Sequence, residues 1–422
     1  MLNLRTCLAL ALTLTLGLAA CGGGTDRTKA HVRLVNASSG YNSLALTVDG
    51  STIASGVTAG SSMGYADASR GTQDLDISSP SSATILATRR ADLGKDTYYS
   101  LLAYGKAGAL TTQLLDETQA SPSSGKTLVR VINTAPDAGS LDVYLTGNND
   151  ALTQAAPLQS GAAYGTLGSF VTINSGTWRL RVTAAGTATD LRLDVSGLSF
   201  GDRGVMTLVV TPARGGVLVN ALLLPQQDNA AAAANTQARV RVVAGVTSNA
   251  AVTASVAGTT LASNIIAPAL TEYALVAAGS TAPVVTVNGT AVGLAAVPTF
   301  LAGGDYTLLV YGAPGTASAS VVADDNSLPS DSTKAKLRLI NGLGGSLTLK
   351  VGLVVKASGT ATGAASDYAL ADATTTGSIQ VTSADAQLNF SANTLTLVAN
   401  GVYSVLMLGN TAAPVGQLNR DR

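Results

Sequence analysis

The residues able to do chemistry are few and scattered. The chain has one histidine, His31, and two cysteines, Cys7 and Cys21, in 422 residues. A Ser–His–Asp relay needs a buried imidazole held between a serine and an orienting carboxylate. His31 stands at the edge of the first predicted strand, beside a flexible stretch, which suits no such relay. No G-x-S-x-G elbow occurs in a strand–turn–helix setting. Paired carboxylates for glycoside hydrolysis would have to come from loops, and Asp324 and Asp325 read as a solvated pair on a linker. With Asn326 they could lend oxygens to Ca²⁺, but no D-x-[DN]-x-[DN]-G loop surrounds them. The run Gly342–Gly345 follows a strand and opens no helix, so a phosphate would lack its helix N-terminus. Tyr41, Tyr144 and Trp178 could stack a sugar, yet core or strand-surface placement fits each better. The expectation is a chain with no catalytic, cofactor-binding or metal-binding residue, and not an enzyme.

The elements that would have to position such residues follow from composition. Hydrophobic residues make up 46% of the chain, charged ones 12% and aromatics 4%, with 45 glycines and only two glutamates, Glu117 and Glu272. Solvent-facing helices lean on Glu and Lys, whereas Val, Thr, Ser and Gly suit short strands and tight turns. Lys plus Arg equals Asp plus Glu, 25 each, which excludes a nucleic-acid binder driven by basic charge. The apolar content is too high for a disordered chain.

Residues 1–21 carry an address. Arg5 supplies a positive start, and Leu8–Leu18 is an apolar run too short to cross a bilayer, which needs about 20 residues, but suited to a secretory signal. Leu18-Ala19-Ala20-Cys21 followed by three glycines resembles the lipobox of bacterial lipoproteins. There a peptidase needs small side chains before the scissile bond, and the cysteine thiolate takes up the diacylglycerol thioether. This implies a signal peptide over 1–20, lipidation at Cys21 and a tether over 21–30. Cys21 would then be the one cysteine of the mature chain, so no disulfide is expected. Gly22 after the cysteine resembles lipoproteins forwarded to an outer membrane.

An internal repeat organises the rest. Four segments open alike, at His31–Asn36, Leu128–Asn133, Arg239–Ala244 and Lys336–Asn341, each with an arginine at its centre. These arginines, Arg33, Arg130, Arg241 and Arg338, are 97, 111 and 97 residues apart. A second alternating run follows each opening, a tyrosine recurs mid-segment at Tyr65, Tyr164, Tyr273 and Tyr368, and a late strand begins at Tyr99, Tyr306 and Tyr403. In the second segment Met206 holds that last place. The repeats span 31–118, 126–225, 238–324 and 335–422, joined by polar linkers, with Ala230–Ala234 the best helical turn. Each arginine lies between apolar residues and is expected on the wet face of its strand. The tyrosine opening each late strand is expected to bond backbone at the preceding turn.

The second repeat resembles a known family. Val129–Leu145, reading VRVINTAPDAGSLDVYL, is similar to the opening of domain-of-unknown-function family 4397, and Ser175–Thr183 to one of its later strands. The likeness is good over 128–225 and fainter over 31–118. It departs over 238–324 and 335–422, where the Pro-Asp pair is missing. The resemblance implies a β-sandwich module of exported bacterial proteins, often in tandem, with no assigned catalytic residue. Pro136 and Asp137 are read as a turn in which Asp bonds backbone.

Together these features predict an all-β chain of four tandem immunoglobulin-like β-sandwich domains after a lipoprotein signal peptide. With extended linkers such domains would form a rod on the order of 150 Å. The expected role is a non-enzymatic, lipid-anchored protein of the bacterial cell envelope, at the outer membrane, on its surface or periplasmic face. It would serve adhesion, partner binding or structural presentation, or alternatively bind glycan or an envelope complex from the periplasm. The expected partners are the membrane, through the lipid, and a protein or glycan of unknown identity; nucleic acid is excluded.

Overall fold

A computed structural model describes residues 26–384 and 388–422. Among them are strands and two single-turn 3₁₀ segments, Leu152–Gln154 and Pro314–Thr316, with no α-helix. No helix there is long and apolar enough to cross a membrane. The signal peptide and Cys21 lie outside the described residues.

The strands fall into four consecutive sets, each giving two main sheets that share one core, and the third adds a two-stranded ladder of Gly279–Ser280 with Thr299–Phe300. In the first set one sheet pairs Ala30–Asn36 with Tyr98–Lys106, and the latter with Ala109–Asp116. The facing sheet runs Ser51–Thr58, Ser43–Val48, Gly71–Ser79, Ser82–Leu93. Val32 and Leu34 point inward against Leu44, Leu46, Leu75 and Ile77, all buried. Every second residue of a strand faces the same way, so alternating apolar positions fill this core. In all four sets the opening strand runs parallel to the late strand, which aligns Arg33 with Ser100, Arg130 with Thr207, Arg241 with Thr307 and Arg338 with Ser404. A parallel pair needs a long crossover, and the whole second sheet supplies it.

The expected corner tyrosines are present. The hydroxyl of Tyr99 accepts the Gly94 N–H at 2.9 Å, that of Tyr306 the Leu301 N–H at 2.8 Å, and that of Tyr403 the Val398 N–H at 2.8 Å.

The opening strands differ from expectation in their second face. Ala30–Asn36 is buried along its whole length, because its outer face packs on the second set. Val35, Leu102 and Tyr104 meet Ile132, Val209, Leu222 and Leu224 in one apolar cluster. The third and fourth sets meet in the same way through Val243, Leu309, Ile340, Leu406 and Leu408. A fully buried Val, Leu or Ile contributes about 1.5–3 kcal/mol, so these seams hold the sets together in pairs.

The pairs also touch each other, which rules out four bodies strung in line. The Gly215 N–H donates to Gly303 O at 2.7 Å, and the Asn326 N–H to Gly215 O at 3.1 Å. A Cβ on Gly216, whose φ is +84°, would sit 2.4 Å from Ser327 N, so only glycine allows this approach. Lys106 of the first set donates to Leu328 O at 2.9 Å, and Arg422 of the fourth to Gly216 O at 2.9 Å. The linkers are therefore packed. Ala231–Ala233 is not a helical turn but an edge strand on Val219–Pro225, where Ala233 joins the core and the backbone finds ladder partners.

Candidate functional site: the buried arginine clusters

The repeated arginine is the centre of a repeated cluster, and its position corrects the expectation of a solvated face. Arg33, Arg241 and Arg338 are 1–2% exposed. The physical reason is the pairing of sets, which turns the outer face of each opening strand into an interface. Each Nε donates to the hydroxyl opposite it on the late strand: Arg33 to Ser100 at 2.6 Å, Arg130 to Thr207 at 3.0 Å, Arg241 to Thr307 at 2.9 Å and Arg338 to Ser404 at 3.2 Å. In three sets that hydroxyl then donates to a carboxylate 17 residues on: Ser100 to Glu117 at 2.5 Å, Thr307 to Asp324 at 2.7 Å and Ser404 to Asp421 at 2.5 Å.

An aromatic ring completes each cluster. Guanidinium carbons lie 4.6 Å over Tyr65, 4.8 Å over Tyr273 and 4.8 Å over Tyr368, a cation–π contact strengthened by desolvation. Three of the four recurring tyrosines thus do one job. The fourth does not: Tyr164 is 40% exposed, and Phe170 takes its place over Arg130 at 4.5 Å.

Between the third and fourth sets the ion pairs are exchanged. Arg241 bonds Asp421 of the fourth set at 2.6 Å, while Arg338 bonds Asp324 of the third. Burial alone would push Asp324 up, but Arg338 and Arg241, with the hydroxyls of Tyr273 and Thr307, hold it below the usual carboxylate range. Burial drives the Tyr273 hydroxyl well above its ordinary value, and Asp324 adds to this.

The first pair breaks the symmetry. The position matching Asp324 and Asp421 is Gln226, next to Pro225 at the end of the Val219–Pro225 strand, so one carboxylate is missing. Arg33 keeps Glu117 of its own set at 3.0 Å and takes the carbonyls of Pro225 at 3.1 Å and Asp228 at 2.5 Å. Glu117 in turn accepts the Gln227 N–H at 2.5 Å and the Tyr65 hydroxyl at 2.5 Å. Arg130 bonds Thr207 and lies against Phe170, and burial lowers its pKa against the opposing charges of Asp116 and Glu117. A void of about 10 Å³ remains beside Arg33, Arg130 and Gln226, which is the room one water needs.

The other singled-out residues do not converge. His31 is buried, its Nδ1 2.8 Å from Asp67 and its ring 4.5 Å from Tyr98, with no serine among these contacts. Of Asp324 and Asp325, read as a solvated pair, only the second is solvated: the Asp324 side chain has no exposed surface, while that of Asp325 is 55% exposed and bonds Lys336 at 2.7 Å and Ser327. Asp137 does not bond its own turn. It is buried, accepts the Leu328 N–H at 2.9 Å and pairs with Lys106 at 2.7 Å, because the connection after the third set packs over that turn. Trp178 donates to Asn174 O at 2.9 Å, Tyr41 accepts the Gly108 N–H at 3.0 Å, and Tyr144 is buried. Among the described residues no three His, Cys, Asp or Glu side chains are grouped to hold a metal. Where the sets meet, a cleft of about 820 Å³ is lined by Gly40, Lys106, Asp137, Arg214, Asp325 and Lys336.

Sequence reasoning missed the hydroxyls and the carboxylates. The signal was present as the recurring 17-residue step from Ser100, Thr307 and Ser404 to Glu117, Asp324 and Asp421. The side chains of Asp324 and Asp421 have no exposed surface, and the clusters neutralise buried charge and fix which sheet face meets which.

Fold and clusters define a protein of repeated β-sandwich units packed through charged seams. The chain belongs to the family described as Domain of unknown function (DUF4397), whose model matches residues 30–144 and 238–348. Each match covers one set and the opening strand of its partner. This corrects the expected distribution of the likeness: the third repeat matches without a Pro-Asp pair, and the second matches only up to 144. The strand framework therefore carries the likeness. No curated protein matches the chain. Among solved structures, a candidate cell-adhesion protein from Bacteroides uniformis is 13% identical, covering 48% of this chain and 99% of its own, with a TM-score of 0.21. The glycogen-degrading pneumococcal virulence factor SpuA is 7% identical over 86% of this chain and 37% of its own, TM-score 0.16. The Bacillus anthracis TIE protein is 8% identical over 87% and 65%, TM-score 0.13. Similarities of that size carry no argument about this chain.

Proposed function

We propose that this is a non-enzymatic, lipid-anchored protein of the bacterial cell envelope, acylated at Cys21 and held at the outer membrane. Its four tandem modules serve adhesion, partner binding or structural presentation. The observation that carries the reading is the use of the repeated polar residues: the arginines, hydroxyls and carboxylates are consumed inside the seams. What the molecule offers outward is the remaining sheet faces and loops, which suits contact rather than turnover. The lipobox-like Leu18–Cys21 supplies the address. The test is protease shaving of intact cells, followed by blotting, with wild type and Cys21→Ala compared. Loss of signal from intact wild-type cells places the protein on the surface, and Cys21→Ala should leave the membrane fraction on a high-salt wash that retains wild type. A Cys21→Ala chain that stays membrane-bound through that wash contradicts the anchor.

A periplasm-facing module that binds glycan or an envelope complex is the second reading, favoured by the polar cleft where the sets meet. Signal protected until the envelope is broken, together with glycan-array binding lost on Arg214→Ala, would select it.

A further inference from the structure

The search for a surface with a use of its own ends at one hairpin. In the fourth set Leu347–Val351 and Val354–Thr360 are joined through Gly352 and Leu353, with Val351 opposite Val354. Leu353 is 98% exposed, Val354 58% and Val355 51%. The same hairpin occurs in the first and third sets, where Val48 faces Ser51 and Val256 faces Thr259. Position by position, Leu353 stands where those have Gly50 and Gly258, Val354 where they have Ser51 and Thr259, and Val355 where they have Thr52 and Thr260. Asp49 and Gly50, like Ala257 and Gly258, both have positive φ, the favoured two-residue hairpin turn. In the fourth set only Gly352 does, so the turn changes type to admit a leucine. Folding gains nothing from this side chain, which touches almost only solvent.

Charge says what the tip fits. Lys350 and Lys356 flank it, and they are the only charged residues in the four strands of that sheet, Val354–Thr360, Leu347–Val351, Thr374–Ser383 and Asn389–Leu397. The equivalent sheet of the first set mixes Asp74, Asp76, Arg89, Arg90 and Asp92, and that of the third carries no charge. Lys356 donates to Leu370 O at 2.7 Å, and Leu370 is itself 42% exposed. Asp372, on the facing sheet, is the carboxylate that feels Lys356, and the tip's own sheet has none; an apolar tip between cations on such a sheet is the pattern of a loop that enters the headgroup layer of an anionic bilayer. There the aliphatic side chains leave water while lysine heads stay at the phosphates.

We propose that the Gly352–Val355 hairpin tip is a membrane-contact loop that inserts into anionic lipid. The contact is independent of the acyl group and would lay the fourth set against the membrane.

The experiment uses the mature chain carrying Cys21→Ala, so that no acyl group contributes, and vesicle co-sedimentation. Vesicles of phosphatidylcholine with phosphatidylglycerol should bind it, and phosphatidylcholine alone much less. Leu353→Asp should lower binding about tenfold or more. Lys350→Gln with Lys356→Gln should lower it about 30-fold and remove its salt dependence. Thr260→Asp, on the matching hairpin of the third set at the place of Val355, should change nothing. In Leu353→Trp, added fluorescence should shift to the blue with anionic vesicles. Leu353 and Thr260 are exposed and the two lysines partly so, so the variants should keep the wild-type thermal midpoint. Absence of vesicle binding, or equal binding by Leu353→Asp, overturns the proposal. So does a dimer in sedimentation equilibrium that Leu353→Asp dissolves while vesicles stay unbound, which would assign the tip to a second copy. None of these outcomes depends on whether Cys21 is acylated.

Discussion

The exchanged ion pair between the third and fourth sets can be tested by removing one charge. Asp324→Asn keeps the shape of the side chain but leaves the Arg338 guanidinium, 1% exposed, without its carboxylate. It also weakens the acceptor for Tyr273 and Thr307. Removing one partner of a buried pair costs about 3–5 kcal/mol, since the remaining charge stays desolvated. The third and fourth sets share a core seam and should unfold together, and for a block of that size each kcal/mol lowers the midpoint by about 2–4 °C. Asp324→Asn should therefore lower the midpoint of that transition by roughly 6–20 °C in calorimetry. The double change Arg338→Met with Asp324→Leu should recover more than half of the loss, because an apolar pair needs no desolvated charge. Lys334→Ala, which removes the exposed pair with Asp372, should leave the midpoint where it was. An Asp324→Asn chain that melts with wild type would refute the claim that this pair holds the seam.

Gln226→Glu restores the missing carboxylate of the first pair beside Arg33, Arg130 and Thr207. It should stabilise that pair by about 1 kcal/mol in urea titration, and a loss of stability would show that the void, not the charge, is what matters there. Tyr403→Phe strips the acceptor from the Val398 N–H and should cost about 1–3 kcal/mol, read as a lower urea midpoint. Acid should also act on the seams. The folded pKa values of Asp324 and Asp325 lie below the ordinary 3.8. Their contribution is therefore complete above that pH and is lost as pH falls below it. The denaturation midpoint should drop steeply below pH about 4, and Asp324→Asn should flatten that drop. Tyrosine works in the opposite direction. Tyr65, Tyr273 and Tyr368 are raised above 10.0, so stability should fall as pH rises past that value, and Tyr273→Phe should lessen the fall.

What the sequence showed depended on whether a pattern was local. Alternation in Val32–Leu34 and Leu44–Val48 marked strands and core faces, because a strand's periodicity is written in consecutive residues. Tyr99, Tyr306 and Tyr403 could be placed at corners because each bond spans only five residues. The arginines were seen as a repeat and placed on the outer face of their strands, but that face was taken to be wet. Alternation distinguishes two faces but does not say that a second set covers the outer one, and an arginine flanked by valines looks the same on either. The hydroxyls that Arg241 and Arg338 bond lie 66 residues downstream, and the carboxylates those hydroxyls bond lie 83 residues downstream, beyond the reach of any local rule. Asp137 was misread for the same reason, since its partners Lys106 and Leu328 arrive from the first set and from the connection after the third. The linkers looked free because Ser, Pro and Ala avoid the periodicity of core strands; as packed surface coil they do so equally.

The central structural claim is that the sets pack side by side in pairs instead of forming a line. Small-angle X-ray scattering of the mature chain tests it directly. A compact body of this length has a radius of gyration of about 21 Å, and the paired arrangement should stay below roughly 30 Å. A line of four modules on the order of 150 Å would give about 43 Å, and a value near that would contradict the buried seams at Arg33, Arg241 and Arg338.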